Sequence, residues 1–304
     1  MTVINTNIKS LVTQNALGKN SRALALAMQQ LSTGKRINSA ADDAAGLAIS
    51  SRMTAQIKGL DQAVRNANDG ISLLQTVEGA MVEMTNMLQR MRELAVQSGN
   101  DTYTDSDRSS LNLEYGQLMQ EINRISQNTQ WNGMDVLNNS TIGTGGLVAD
   151  HEAAGDELRN IKFQVGANAS QTISVAFKNF SIPGDPANIP PDTDVFSGDG
   201  RINDTDILSS ANSSTAIGRL DQAIKNIDDE RATYGAVMNR LTYAVDNLTN
   251  VSQNTSASRS RILDTDYAKA SSELARTQII QQAATAILAQ ANMDQQSVLK
   301  LLQG

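Results

Sequence analysis

Apolar residues recur along much of this chain at alternating spacings of three and four. From Leu60 the series runs Leu60, Ala63, Ala67, Gly70, Leu74, Val77, Met81, Met84, Leu88, Met91, Ala95. A second series is Leu111, Tyr115, Leu118, Ile122, Ile125. A third is Ile217, Leu220, Ile224, Ile227, Arg231, Tyr234, Met238, Leu241, Val245, Leu248, with only Arg231 out of character. A mean period of 3.5 residues is the signature of helices that pack along their length as coiled coils, with an ordinary helical bundle as the alternative. Sustained over about five heptads, it predicts rods: at ~1.5 Å per residue, Leu60 to Ala95 spans roughly 50 Å.

The two ends mirror each other. Ile4, Ile8 and Leu11 begin a helical stripe, and Ile280, Ala284, Ile287, Ala291, Val298 and Leu301 form one at the far end, with polar Asp294 in the seam. Val12, Leu288 and Leu302 stand beside these stripes, so a single antiparallel pair leaves apolar surface uncovered. Apolar surface of that extent usually meets a partner, and the chain is expected to self-associate.

Between the arms the pattern changes. All four prolines lie at 183, 186, 190 and 191, and glycines 143, 145, 146, 155, 166, 184, 198 and 200 cluster around them. Proline breaks helix interiors, so two proline-free arms flank an irregular middle. Within it IKFQVGANASQTISVAF (Ile161–Phe177) holds two β-prone runs around Gly-Ala-Asn, which reads as a hairpin. The expected fold is mainly α, with long antiparallel coiled-coil rods from both chain termini and a small β-rich insertion projecting where the rods end.

Composition narrows the function. Aromatics make up 3% of the chain, and all four phenylalanines fall between Phe163 and Phe196, so the arms must bury Leu, Ile, Val, Met and Ala. A net charge of −7 argues against nucleic acid as a partner, because phosphate contacts need clustered Lys and Arg. With no cysteine there are no disulfides and no thiol catalysis. No stretch of about 20 apolar residues exists to span a membrane. Met1–Asn20 does not read as a cleavable signal peptide, so the protein is either cytoplasmic or exported by a route that ignores such signals.

Catalytic chemistry finds no foothold. The one histidine, His151, sits in HEAAG, where a zinc-protease helix would need a second histidine at Gly155. GDGRINDTD (Gly198–Asp206) offers carboxylates around glycine as calcium loops do, yet an EF-hand register puts Val195 at the first ligand position. A solvated turn before a helix start is the better reading. No enzyme, cofactor or metal is expected.

Several stretches carry a resemblance. INTN (Ile4–Asn7), LSTGKRINSAADDAAGLAIS (Leu31–Ser50), RMRELAVQ (Arg90–Gln97) and TQWNG (Thr129–Gly133) resemble the N-terminal half of bacterial flagellin. RILDTDYAKASSELARTQIIQQAATAILAQAN (Arg261–Asn292) and SVLKLL (Ser297–Leu302) resemble its C-terminal half. Trp131 stands where the family often has phenylalanine. The resemblance implies a subunit that polymerises into the flagellar filament for swimming, placed outside the cell after export by the flagellar type III route. It assigns residues 1–43 and 262–304 to inner filament helices, 44–180 and 211–261 to a rod layer, and 181–210 to a short variable surface segment. The nearest alternative is the hook–filament junction protein, an adaptor with similar termini; an enzymatic insertion and a coiled-coil adhesin are further rivals.

Within Leu31–Met53, Ser39 is expected to cap a helix beginning at Ala40, with Asp42 and Asp43 in the first turn beside the positive end of the helix dipole. Gly46 and its small neighbours are expected to let adjacent subunits approach. Arg90 and Leu94 lie four apart, beside the Met84/Leu88/Met91/Ala95 seam, so Leu94 is expected to need a contact outside the core. The resemblance implies that Gln89, Arg90, Leu94 and Glu114 form the surface bound by the host Toll-like receptor for flagellin, or an inter-subunit contact. It implies assembly roles for Ile4, Ile8 and Leu11. Val298, Leu299, Leu301 and Leu302 match the segment sensed inside host cells. The implied partners are further copies of the chain, the flagellar cap and hook–filament junction proteins, and an export chaperone.

Overall fold

The computed structural model describes residues 7–138, 159–182, 195–196 and 201–303, with the side chains of all of these except Arg159 and 294–303. Five helices dominate: α1 (Ile8–Thr33), α2 (Ala44–Ser98), α3 (Asp105–Asn128), α4 (Ser210–Leu263) and α5 (Tyr267–Gln303). Two short antiparallel ribbons, β1 (Gln130–Trp131) with β2 (Met134–Asp135) and β3 (Arg159–Gln164) with β4 (Thr172–Phe177), lie between α3 and α4. The chain divides into two compact units, Met1–Ile57 with Ser252–Gly304, and Lys58–Val251.

In the first unit α1 packs antiparallel on α5 along a seam that repeats every seven residues. On α1 it takes Ser10, Leu17, Leu24 and Leu31 together with Thr13, Asn20 and Ala27; on α5 it takes Ala270, Thr277, Ala284 and Ala291 together with Leu274, Gln281 and Leu288. Asn7 caps α1, its Oδ1 accepting from Ser10 N at 2.9 Å, and its Nδ2 donates to the Ala291 carbonyl at 3.0 Å. At the other end α1 stops at Gly34, whose φ of 69° is the left-handed conformation that favours glycine. Beyond it the chain runs beside Leu263–Thr265. Arg36 N donates to the Leu263 carbonyl at 2.7 Å, Thr265 N to that of Gly34 at 3.0 Å, and Arg36 Nη2 to that of Ile262 at 2.6 Å.

The connection into α2 differs from the sequence expectation. Helix does not begin at Ala40 under a Ser39 cap. Asp42 Oδ2 accepts from Asn38 N at 3.0 Å and Ser39 N at 2.9 Å, while Asp42 N donates to the Ser39 carbonyl, which closes a turn over buried Ile37. Asp43 is the cap, its Oδ1 accepting from Gly46 N at 2.8 Å, and α2 starts at Ala44. Gly46 is also committed within the chain. A Cβ there would lie 2.6 Å from Ile37 Cδ1 and 2.5 Å from Asp43 Oδ2, so its missing side chain makes room for Ile37 and for the cap.

The second unit is built on one apolar cluster shared by α2, α3, α4 and the β segments. Every member of the Leu60–Ala95 series is buried, but burial spreads to Leu73, Thr85, Leu94 and Ser98 as well. A heptad stripe serves a helix with one partner. α2 is covered from two sides, and its buried face is correspondingly wider. α3 opens with a capping box in which Thr104 and Asp107 satisfy each other's backbone N–H.

The expected hairpin is present, with Arg159 paired to Phe177 and Gln164 to Thr172 at its two ends. It does not project. Phe163 lies against Gly70, and Asn66 Nδ2 donates to the Gln164 carbonyl at 3.2 Å, so the ribbon lies along α2. Ile173, Val175 and Phe177 alternate inward, and the Phe177 ring packs 5.3 Å from that of Tyr234 on α4. The phenylalanines concentrate in this segment because the segment completes the core. The smaller ribbon turns through Asn132 and Gly133, both at positive φ, as a two-residue hairpin requires.

Two outcomes follow for Asp42, Gly46 and Gly79. Gly79→Ala, on an exposed face of α2 with open space at its Cβ, should stabilise the chain by about 0.5–1 kcal/mol. Gly46→Ala in the same helix should destabilise it; thermal unfolding of the two variants measures the contrast. The Ser39 amide first, then that of Asn38, hold the Asp42 carboxyl below its ordinary value of 3.8. The turn's contribution is therefore present above that value and lost as pH falls below it. Protection from hydrogen exchange at Asn38 and Ser39, taken relative to the unstructured rate at each pH, should fall selectively in acid, and Asp42→Asn should reproduce the loss at neutral pH.

Candidate functional site

The terminal helix pair is amphipathic in an unusual sense. Its seam is lined mostly by small and polar side chains, and the buried positions are Ser10, Asn20, Ala27, Ala270, Thr277, Ala284 and Ala291. Five leucines share that seam, but the other large apolar side chains point away: Ile8, Leu11, Val12, Leu26, Met28, Ile279, Ile280, Ile287 and Met293 are all exposed. Ile280 and Ile287 thus lie outside the seam that the sequence pattern assigned them, while Ala284 and Ala291 of the same stripe lie in it, joined by Thr277. Small residues let the two backbones approach closely, and the bulkier set is displaced to the outer face. Near the chain ends this face carries a groove of ≈ 490 Å³ lined by Ile8, Lys9, Val12, Thr13, Ile287, Gln290 and Ala291.

Of the terminal residues singled out in the sequence, Ile8 and Leu11 both stand on this outer face. Ile4 lies outside the described residues, and so do the side chains of Val298, Leu299, Leu301 and Leu302, whose backbone continues α5.

In the second unit Gln89 and Arg90 on α2 and Glu114 on α3 are exposed, and Arg90 and Glu114 are brought together. Arg90 Nε and Nη2 reach Glu114 Oε1 at 2.9 and 2.8 Å, while Nη1 reaches Glu93 Oε2 at 3.0 Å. These carboxylates, Glu93 first, raise the Arg90 guanidinium further above its ordinary value. The pair holds its shape more than it adds stability, since both side chains are about half exposed. Leu94 is different. It is 1% exposed and belongs to the core cluster, so it has no need of a contact outside the chain. Leu113, beside Glu114, is an exposed apolar side chain that the sequence reading passed over. Its position off the Leu111/Tyr115/Leu118 stripe was the available signal.

Two further charged pairs join α2 to α4. Arg92 Nε meets Asp221 Oδ1 at 2.6 Å, and Arg231 Nη2 meets Glu78 Oε1 at 3.1 Å. The second explains the out-of-character Arg231: at the edge of the seam, it reaches across to α2.

Among the described residues no group of three or more His, Cys, Asp or Glu could hold a metal ion. His151 and Gly198–Gly200 lie outside them. Asp206 is occupied locally, its Oδ1 accepting from Leu208 N at 3.1 Å and Asn212 Nδ2 at 2.7 Å just ahead of and within α4. Among the described residues no helix is long and apolar enough to cross a membrane.

Residues 4–141 match the family description "Bacterial flagellin N-terminal helical region", and residues 217–302 match "Bacterial flagellin C-terminal helical region". The flagellin of Halalkalibacterium halodurans is 41% identical over 300 residues, covering 99% of each chain. That of Bacillus subtilis is 40% identical over 310 residues, covering 98% of this chain and 99% of the other. A solved structure described as a flagellar hook-associated protein, from Vibrio parahaemolyticus, shares the fold with a TM-score of 0.55 at 13% identity, covering 73% of this chain and 100% of that one. With both helical regions matched and relatives similar from end to end, the chain belongs to the bacterial flagellin family, structural filament subunits and not enzymes.

Proposed function

We propose that this chain polymerises into the helical filament of a bacterial flagellum outside the cell, where it serves swimming motility. The observation that carries this reading is the outward apolar face of the terminal helix pair. Exposed Ile, Leu, Val and Met side chains on both helices gain about 25 cal/mol for each Å² removed from water, and further copies of the chain are the partner that supplies the cover. On this reading residues 1–43 and 262–304 form the inner filament layer, 44–180 and 211–261 the surrounding rods, and 181–210 a thin surface segment. Before assembly the same face needs protection, which is the part an export chaperone plays. The cap and the hook–filament junction proteins meet the chain at the two ends of the filament.

The exposed Gln89, Arg90 and Glu114 form the surface that a host Toll-like receptor recognises on the soluble chain, with Leu94 supporting that surface from beneath. Val298, Leu299, Leu301 and Leu302 serve recognition inside host cells.

Negative-stain microscopy of purified chain in ammonium sulfate, which strengthens apolar burial, tests the filament reading. Long uniform tubes from the full chain, and none from a chain ending at Arg261, are expected; discrete rings from both would favour the junction adaptor. For the receptor surface, Arg90→Ala/Glu114→Ala should lower receptor signalling by the soluble chain about tenfold or more with little change in melting temperature. Leu94→Ala should instead lower the melting temperature, at a cost of about 2–5 kcal/mol. Unchanged signalling by the double variant would remove the receptor assignment.

A further inference from the structure

The seam between α1 and α5 is nearly self-similar under a shift of seven residues. Leu17, Leu24 and Leu31 repeat on α1, while Ala270, Ala284 and Ala291 hold equivalent places on α5. Sliding one helix past the other by a heptad would lay like upon like, so apolar packing along the seam distinguishes poorly between registers, and the bonds of Arg36 and Thr265 hold only the end near Gly34.

Asn20 breaks this degeneracy. It is buried in the middle of the seam, and its Nδ2 donates to the Thr277 carbonyl at 2.8 Å and to Gln281 Oε1 at 3.3 Å. A slip of one heptad would still offer a backbone carbonyl. The second acceptor would be lost, because Leu274 or Leu288 would then stand where Gln281 stands. A buried polar side chain in a heptad seam lowers stability relative to leucine and selects a register in exchange.

Register has a consequence on the outer face. The groove needs Ile8 and Val12 of α1 beside Ile287 of α5, and a seven-residue slip would carry Ile287 about 10 Å along the helix axis. We infer that Asn20, acting with Gln281, holds the register of the terminal helix pair along the seam beyond its bonded end at Arg36 and Thr265, and that it thereby sets which apolar groove the pair offers to a second copy of this chain. Only the last clause rests on the filament reading; the register itself does not.

The chain contains no cysteine, so introduced pairs report register cleanly. Ala27 and Ala270 lie one heptad beyond Asn20 and Thr277 on the same seam, and both are buried. Ala27→Cys/Ala270→Cys reports the observed register, and Ala27→Cys/Thr277→Cys reports a slip of seven. Each pair is oxidised in the full chain at high dilution in ammonium sulfate, with Asn20 present or as Asn20→Leu. With Asn20 the first pair should link and the second should not. In Asn20→Leu the second link should rise at least about tenfold above its yield with Asn20, against the bonds of Arg36 and Thr265 that remain, with helical circular dichroism no lower than before, which separates lost register from lost folding. Without introduced cysteines, Asn20→Leu should elongate seeds of the unsubstituted chain at least about tenfold more slowly. Comparable yields of both links with Asn20 present would overturn the inference. The in-register link alone from Asn20→Leu would overturn it too. If the register result is as expected but neither chain elongates seeds, the inference on Asn20 stands and the filament reading falls.

Discussion

Everything in the terminal unit follows from where its small residues are. A seam built on Ser10, Asn20, Ala27, Ala270, Thr277, Ala284 and Ala291 brings α1 and α5 close together, and it leaves Ile8, Leu11, Val12, Ile279, Ile280 and Ile287 with nowhere to go but outward. An ordinary soluble pair places the large side chains between its helices and the small polar ones in water. Here the order is partly inverted: Leu17, Leu24, Leu31, Leu274 and Leu288 stay in the seam, while the exposed isoleucines, valine and methionines leave hydrophobic driving force available for contacts with other copies. Two asparagines, Asn7 at one end of this arrangement and Asn20 at its middle, tie α1 to carbonyls of α5 by hydrogen bonds that do not depend on bulk.

The second unit obeys the opposite rule. Its three helices and its hairpin bury Leu, Ile, Met and aromatic side chains in one cluster. Charge pairs at its rim, Arg90–Glu114, Arg92–Asp221 and Arg231–Glu78, match particular residues across α2/α3 and α2/α4. One unit therefore has a complete core of its own and the other does not, which is the division of labour a polymerising subunit needs.

Much of this was legible in the amino-acid order. The unbroken run of heptad positions from Leu60 to Ala95 marked α2, and the two β-prone runs around Gly166–Asn168 marked the hairpin. Periodicity could not show how many partners a helix has. Leu94 looked peripheral because a 3.5-residue stripe assumes a single neighbour, whereas α2 is covered from two sides. Ile280 and Ile287 looked like seam residues because a hydrophobic pattern favours the larger side chains, whereas on α5 the alanines of the same stripe, Ala284 and Ala291, are the ones buried. The start of α2 was missed by a few residues because Ser39, Asp42 and Asp43 are all good caps by type. Only the backbone hydrogen bonds of Asp42 reveal that it closes a turn and leaves the capping to Asp43.

The central claim is that other copies of the chain cover the outward apolar face. Methionine oxidation by dilute peroxide, resolved by peptide mass spectrometry, tests it at the side chains concerned. Met28 and Met293 stand on that face, 57% and 59% exposed, while Met81, Met84 and Met91 are fully buried in the second unit. In the soluble chain Met28 and Met293 should oxidise quickly and the three buried methionines slowly. In polymer made from the same preparation, Met28 and Met293 should slow by about tenfold or more, with the other three unchanged. Equal oxidation of Met28 and Met293 in polymer and soluble chain would contradict the claim.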